Sequence, residues 1–345
     1  MPTILKPFLT GATRRILTPA MVLVLGVSGF LSACGREPAE DRFRVLCTFL
    51  PVYVLTLNVV GDTPGVEVEL LLEANTGCPH SHAARASDLK RAAAADLILA
   101  NGLGIEPFLD QLSEAGGRAA VAVITGECEL LAARGAGSAE TAPAASATAA
   151  CDHPGPCAGH HHHHHDEASP FNPHVWVSPE QAAIMVRAIV RELSRADPVR
   201  AAAYQANGRA CVARLEALRD EMKAAAAGFA SRKIVTFHNA FDYLARDLGL
   251  EVVATLTVEP GEPIHAGRLA EVIRRARDGG AAAVFREPAY SDRAAEIVAR
   301  DAGVPLFELN PLNSLPGTPD AGAYERVMRE NLEILRKALG TRVQP

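Results

Sequence analysis

The sequence predicts an α/β protein of two lobes, each built on a parallel sheet, with one long rigid helix connecting them. Short apolar runs alternate with Ala-rich amphipathic stretches, which is typical of βαβ units, and this alternation occurs twice. A helical pattern of about thirty residues separates the two sets. The predicted strands are Phe43–Thr48, Val66–Leu72, Asp96–Ala100 and Ala120–Ile124, then Lys233–Phe237, Glu251–Thr257, Ala281–Phe285 and Val304–Leu309.

Residues 1–33 are predicted to be an export signal. Lys6, Arg14 and Arg15 precede an apolar run, residues 16–31, that is too short and too interrupted by Gly and Pro to span a membrane well. The segment ends in Leu-Ser-Ala-Cys, which resembles the lipobox of bacterial lipoproteins. We therefore expect an extracytoplasmic protein anchored to the membrane through lipid on Cys34. An ordinary secretory signal, in which Cys34 is incidental, is the alternative.

Charge and composition exclude a nucleic-acid partner. The net charge of the 345 residues is −6, and removal of three positive charges with the signal changes it to −9. A negative chain with one Trp and no basic run is not typical of nucleic-acid binding.

Seven cysteines occur, and the six besides Cys34 allow 15 disulfide pairings. Cys151 and Cys157 are the nearest pair in the chain, whereas Cys211 is predicted to be a buried thiol.

The helical pattern between the two strand-helix sets predicts the connecting helix and the bounds of the domains. Its apolar residues recur at combinations of three and four, so they share one face, and Asp197-Pro198 marks its start. An ordinary long core helix would show the same pattern. The predicted organisation is a signal peptide (1–33), an N-terminal α/β lobe (34–197), a connecting helix (198–229) and a C-terminal α/β lobe (230–345).

An insertion at residues 133–170 differs in composition from its surroundings. Residues 133–150 are rich in Ala, Ser, Thr and Gly, and residues 151–166 read CDHPGPCAGHHHHHHD. Such a segment cannot bury a core, and we expect a mobile His-rich loop. It can collect further metal ions at low affinity, or it is a solvated loop that binds metal only as any histidine run does. The histidines concerned are His153, His160, His161, His162, His163, His164 and His165.

Three of the remaining histidines are predicted to form a metal site. His80, His174 and His238 lie in segments that join a strand to a helix. Ligands of open α/β sheets bind beyond the carboxyl ends of the strands, and neutral imidazole is the commonest metal ligand. Three imidazoles from separate segments can converge on one ion in a cleft between the lobes.

Several segments resemble, in order, those of the ZnuA-like (cluster A-I, TroA-like) zinc-binding substrate-binding lipoproteins of metal ABC importers. The resemblance implies two lobes joined by one rigid helix and makes His80, His174 and His238 the ligands of a transported Zn²⁺. Three nitrogen donors also favour zinc over Mn²⁺, while copper is a further candidate. The matching segments are Gly77–Leu109 (GCPHSHAARASDLKRAAAADLILANGLGIEPFL), Asn172–Met185 (NPHVWVSPEQAAIM), Thr236–Leu250 (TFHNAFDYLARDLGL) and residues 309–312 (LNPL).

The chain departs from the family pattern at two positions. His82 replaces the family's Tyr, and is either a supplementary ligand or a residue packed at the rim of the site. Asn310 replaces the family's acidic fourth ligand, so that position is open to water, to Asn310 or to a nearby carboxylate such as Glu287.

The resemblance implies a binding protein, not an enzyme. We expect the chain to act as a monomer, anchored by its lipid, and to deliver zinc to the membrane permease of an ABC importer. A storage or sensing lipoprotein, or an adhesin, of the same fold is the alternative. A zinc hydrolase would also use three histidines, but the sequence has no HExxH motif and lacks the catalytic Glu that this motif supplies.

Overall fold

The computed structural model describes residues 42–117, 119–133, 169–257 and 264–340. The predicted signal peptide, Cys34 and the insertion histidines His153 and His160–His165 lie outside these residues. In the part of the chain that is described, no helix combines the length and the apolar character that crossing a membrane requires.

The first lobe is a four-stranded parallel sheet in the order β2-β1-β3-β4. The central strands are almost entirely apolar, because helices cover both faces of such a sheet. Its elements are β1 (Phe43–Cys47), α1 (Leu50–Val60), β2 (Val66–Leu70), α2 (Ala86–Ala94), β3 (Leu97–Ala100), α3 (Leu109–Gly116) and β4 (Ala120–Val123).

Two long helices follow the first sheet. Helix α4 (Pro179–Ala196) begins where Ser178 accepts a hydrogen bond from the Gln181 backbone N–H at 3.1 Å, with proline at the first helical position. Helix α5 (Ala201–Ala227) starts after a short 3₁₀ turn, and its 27 residues span ~40 Å. The buried residues of α5 recur at steps of three and four, so they share one face, as the helical pattern predicts. They are Tyr204, Gly208, Cys211, Leu215, Leu218, Met222 and Ala226.

The second lobe repeats the topology of the first. Its parallel strands lie in the order β6-β5-β7-β8, so each sheet has its first strand second from one edge. This architecture confirms the predicted fold class of two parallel α/β lobes joined through a helix. The elements are β5 (Lys233–Thr236), α6 (Asp242–Leu248), β6 (Glu251–Thr255), α7 (Ala266–Gly279), β7 (Ala283–Arg286), α8 (Arg293–Ala302), β8 (Leu306–Glu308) and α9 (Ala323–Leu339).

One large hydrophobic core supports both lobes. It extends from β1 and β3 through α4 and α5 to α9, so residues as distant in sequence as Val45 and Leu339 belong to it. A smaller core lies beneath α7 and α8 and includes Val235, Val272 and Val298. Because α5 belongs to the shared core, the two sheets are held on a common helical layer.

The close packing of α4 against α5 depends on a glycine. Gly208 is buried on α5, and a Cβ atom at this position would lie 2.2 Å from Cγ2 of Val190 on α4. A separation this short requires one helix or the valine to move. Val190 cannot rotate freely, because a β-branched side chain in a helix has one strongly preferred rotamer.

We predict that Gly208→Ala destabilises the protein by ~1–3 kcal/mol through overpacking, despite the ~1 kcal/mol gain in helix propensity. The double variant Gly208→Ala/Val190→Ala should recover part of this loss, because the clashing methyl is gone. Free energies of unfolding from urea titration measure the effect. Gly267→Ala on α7, where a Cβ atom would meet nothing nearer than 3.5 Å, is the matched control and should not destabilise. Equal stability of Gly208→Ala and wild type would show that α4 and α5 can separate without cost.

Candidate metal centre

Four potential ligands come from three connections between elements. Cys78 and His80 lie between β2 and α2, where Pro79–Ser81 forms a 3₁₀ turn. His174 precedes the 3₁₀ turn Val175–Val177 that leads into α4. His238 directly follows β5, beyond the carboxyl end of the second sheet's central strand. The first sheet's loops and the second sheet's loops therefore meet at one place.

The three predicted histidines converge in the structure. Nε2 of His174 lies 3.1 Å from Nε2 of His238 and 3.4 Å from Nε2 of His80. The Sγ atom of Cys78 lies 3.7 Å from both His174 Nε2 and His238 Nε2. Cys78, His174 and His238 form the compact buried group, with all their ligand atoms within 4.8 Å of one another. His80, which is partly exposed, adjoins this group through His174.

Hydrogen bonds to the outer nitrogens orient the buried imidazoles. Asn172 Oδ1 accepts from Nδ1 of His174 at 2.9 Å and from the His174 backbone N–H at 3.0 Å. Glu287 accepts from Nδ1 of His238, and its second carboxylate oxygen accepts from Asn313 Nδ2 at 3.2 Å. These bonds place a proton on each Nδ1 and aim both Nε2 atoms into the cluster, as in the outer sphere of a metal site.

The pKa values of the histidines in the cluster shift in opposite directions. Burial lowers the pKa of His80 to about 4, and burial with the neighbouring His238 and His80 lowers the pKa of His174 well below its usual value. Burial also opposes a charge on His238, but the Glu287 carboxylate and the Cys78 thiol outweigh it and raise the pKa of His238. At neutral pH His80 and His174 offer free lone pairs, and an entering cation must displace a proton from His238.

His82 and Asn310 are held by other partners. The His82 ring packs edge-on against Phe108, and its Nε2 lies 3.2 Å from Asp88 Oδ2. Asn310 donates from Nδ2 to the Ser314 carbonyl at 2.7 Å and accepts from the Asn313 backbone N–H at 3.2 Å. His82 therefore contacts Phe108 and the first turn of α2, and Asn310 bonds within its own turn, whereas Glu287 reaches the cluster through His238.

Sequence reasoning did not find Cys78, Asn172 or Asn313. Cys78 is one of the six cysteines that could pair in disulfides, although a thiol two residues before a candidate histidine ligand is also a recognisable signal of a metal site. In the structure its thiol is free, like those of Cys47, Cys128 and Cys211. Asn172 and Asn313 have no such signal, because an asparagine in a loop does not reveal whether its amide contacts a ligand, as Asn172 does at His174, or a carboxylate and a thiol, as Asn313 does at Glu287 and Cys78.

Solved structures and curated relatives resemble this chain over most of its length. The SBP FpvC from Pseudomonas aeruginosa in complex with Mn²⁺ has a TM-score of 0.70 at 30% identity, covering 86% of this chain and 98% of that one. FpvC in complex with Ni²⁺ has a TM-score of 0.70 at 28% identity, covering 88% and 100%. The zinc-binding lipoprotein AdcA of Streptococcus pneumoniae is 32% identical over 314 residues, which is 89% of this chain and 58% of AdcA. The chain thus spans about three fifths of that relative.

The family comparison covers both lobes and every connection that supplies the cluster. A family model described as zinc-uptake complex component A, periplasmic, matches residues 45–338. This range includes Cys78, His80, His174 and His238. The chain belongs to the ZnuA family of periplasmic zinc-uptake components.

Proposed function

We propose that this protein captures one zinc ion outside the cytoplasm and delivers it to the membrane permease of an ABC importer. The observation that carries the proposal is the convergence of His80, His174 and His238, with Nε2 atoms 3.1 and 3.4 Å apart, where loops of the two sheets meet. Family membership supports the transport role, since the matching family is a zinc-uptake component.

The donor set supports zinc as the cargo. Imidazole nitrogen suits zinc, copper and nickel, whereas Mn²⁺ prefers carboxylate, carbonyl and water oxygen. The FpvC structures with Mn²⁺ and Ni²⁺ indicate that this fold accommodates several ions. Selection must therefore come from the ligands. Here the cluster consists of nitrogen and sulfur, and its nearest carboxylate, Glu287, is already bound to His238 and Asn313.

The same arrangement supports binding without catalysis. A catalytic zinc site leaves one coordination position open and places an acid or base beside it. His174 and His238 are fully buried, and both oxygens of Glu287 are engaged by side chains of the site. We infer that the ion is held and released without a chemical step.

The proposal extends to parts of the chain outside the described residues. A lipid on Cys34 would hold the protein beside the permease, and a monomer suffices, because one chain supplies every ligand. The insertion histidines His153 and His160–His165 would collect additional ions at low affinity. Imidazole must be neutral to bind metal, so these accessory ions should be released as the pH falls below ~6.5.

Replacing His80, His174 or His238 with Ala should weaken zinc binding by orders of magnitude. A ligand that binds only the folded state stabilises it by about 4 kcal/mol at a thousandfold excess over Kd. Zinc should therefore raise the melting temperature of wild type and of none of these variants. His265→Ala, at the start of α7, is the control and should keep the full zinc response. A normal zinc response in the three cluster variants would contradict the assignment.

Glu287→Gln keeps an acceptor for His238 but removes the charge that makes the imidazole a better ligand. Losing such an outer-sphere partner typically costs roughly 10- to 100-fold in metal affinity. Competition with a chelating dye measures the zinc Kd. Glu308→Gln on β8, which removes a carboxylate paired with Arg286 at the surface, is the control and should bind as wild type does. Unchanged affinity in Glu287→Gln would mean that the carboxylate only stabilises the fold.

A further inference from the structure

We infer that the thiolate of Cys78 is a ligand of the transported ion and completes a site of three imidazoles and one sulfur. This inference rests on the proposed function, because it concerns the same ion. The family pattern that this sequence resembles has an acid at the position of Asn310, and the Asn310 amide bonds to its own turn. Cys78 instead lies within the buried group.

The distances among Cys78, His174 and His238 fit four-coordinate zinc. With Zn–N bonds of ~2.0–2.1 Å and Zn–S bonds of ~2.3 Å, a tetrahedral site has N···N edges of ~3.4 Å and N···S edges of ~3.6 Å. Four of its six edges are close to these values: His174 Nε2 lies 3.1 Å from His238 Nε2 and 3.4 Å from His80 Nε2, and Cys78 Sγ lies 3.7 Å from both His174 Nε2 and His238 Nε2. His80 does not belong to the group whose ligand atoms all lie within 4.8 Å of one another, so its side chain must move inward to bind the same ion. Cys78 is only 7% exposed, so its sulfur faces the imidazoles and not solvent.

Residues of the second lobe hold Cys78 in place. The Cys78 backbone N–H donates to the hydroxyl of Tyr290 at 2.9 Å, and the Tyr290 ring stacks on Phe237 with centroids 5.3 Å apart. Asn313 Nδ2 donates to Glu287 at 3.2 Å and lies 4.0 Å from the Cys78 sulfur. An amide N–H group near both the Glu287 carboxylate and the Cys78 sulfur is a suitable donor to two negatively charged groups beside one cation. Cys78 therefore lies in a loop of the first lobe, but residues of the second lobe, Tyr290 and Asn313, position it at the site.

Thiolate coordination has a direct chemical consequence. The Cys78 thiol loses its proton to solvent when the ion binds, and no electron is transferred. The thiolate neutralises one of the two charges of the cation, which three imidazoles alone would leave unbalanced. Soft sulfur favours zinc and copper over Mn²⁺. Cys78 would thus supply both the missing negative charge and part of the selectivity.

Cobalt spectroscopy tests the inference, because a thiolate bound to Co²⁺ gives a sulfur-to-metal charge-transfer absorption in the near ultraviolet. The full mature chain carries Ser at Cys34, Cys151 and Cys157 in every variant, which leaves the four buried cysteines. One equivalent of Co²⁺ should give this band together with the visible d–d bands of a four-coordinate ion. Cys78→Ser should lose the charge-transfer band, keep cobalt d–d bands, and bind zinc more weakly by more than the roughly 10- to 100-fold expected for an outer-sphere partner.

Two further variants distinguish an error in the role of Cys78 from an error in the proposed function. Cys211→Ser removes another buried thiol, on α5, and should keep the charge-transfer band. His174→Ala should lose tight cobalt binding altogether. Tight cobalt binding without a charge-transfer band in the parent chain, or a band that persists in Cys78→Ser, would overturn the role of Cys78 and leave the proposed function standing. Unchanged cobalt binding in His174→Ala would instead overturn the proposed function.

Discussion

The site depends on the close approach of imidazole Nε2 atoms to one another and to the Cys78 sulfur. His174 and His238 are fully buried, and their Nε2 atoms lie 3.1 Å apart. Two lone pairs at that distance repel each other unless a proton or a cation lies between them. Asn172 and Glu287 occupy the two Nδ1 atoms, so the rings cannot turn away without breaking buried hydrogen bonds. The protein therefore maintains an arrangement that a cation stabilises.

The fold maintains this arrangement by tying the segment around His174 to the second lobe. Asn172 donates from Nδ2 to the Asn239 carbonyl at 2.8 Å, and Tyr243 donates to the Asn172 carbonyl at 2.7 Å. Two residues beyond His174, the Trp176 indole donates to the Pro311 carbonyl at 2.7 Å. His174 is thereby positioned by both lobes, and the shared helical layer of α4 and α5 fixes the lobes beneath it. Rigid ligands of this kind favour selectivity, because an ion of the wrong size or donor preference cannot reshape them.

Much of this could be predicted from the sequence, because the signals were local. Apolar runs and helical spacing predicted the strands and α5, and the segments that join strands to helices indicated His80, His174 and His238 as candidate ligands. The nearness of Cys78 to His80 in the sequence is a local signal, but the direction in which its sulfur points is not a local property. Cys78 meets Tyr290 and Asn313, more than 200 positions along the chain, and only the folded structure shows that their lobe surrounds it. Asn310 was considered from its place in a family pattern, but its amide is used by the Ser314 carbonyl and the Asn313 backbone N–H.

The most direct measurement is anomalous diffraction at the zinc absorption edge from crystals grown with one equivalent of zinc. We expect one dominant peak in the buried group, ~2.0–2.1 Å from the Nε2 atoms of His174 and His238. A dominant peak anywhere else, with the two imidazoles still in direct contact, would contradict a zinc site at this group.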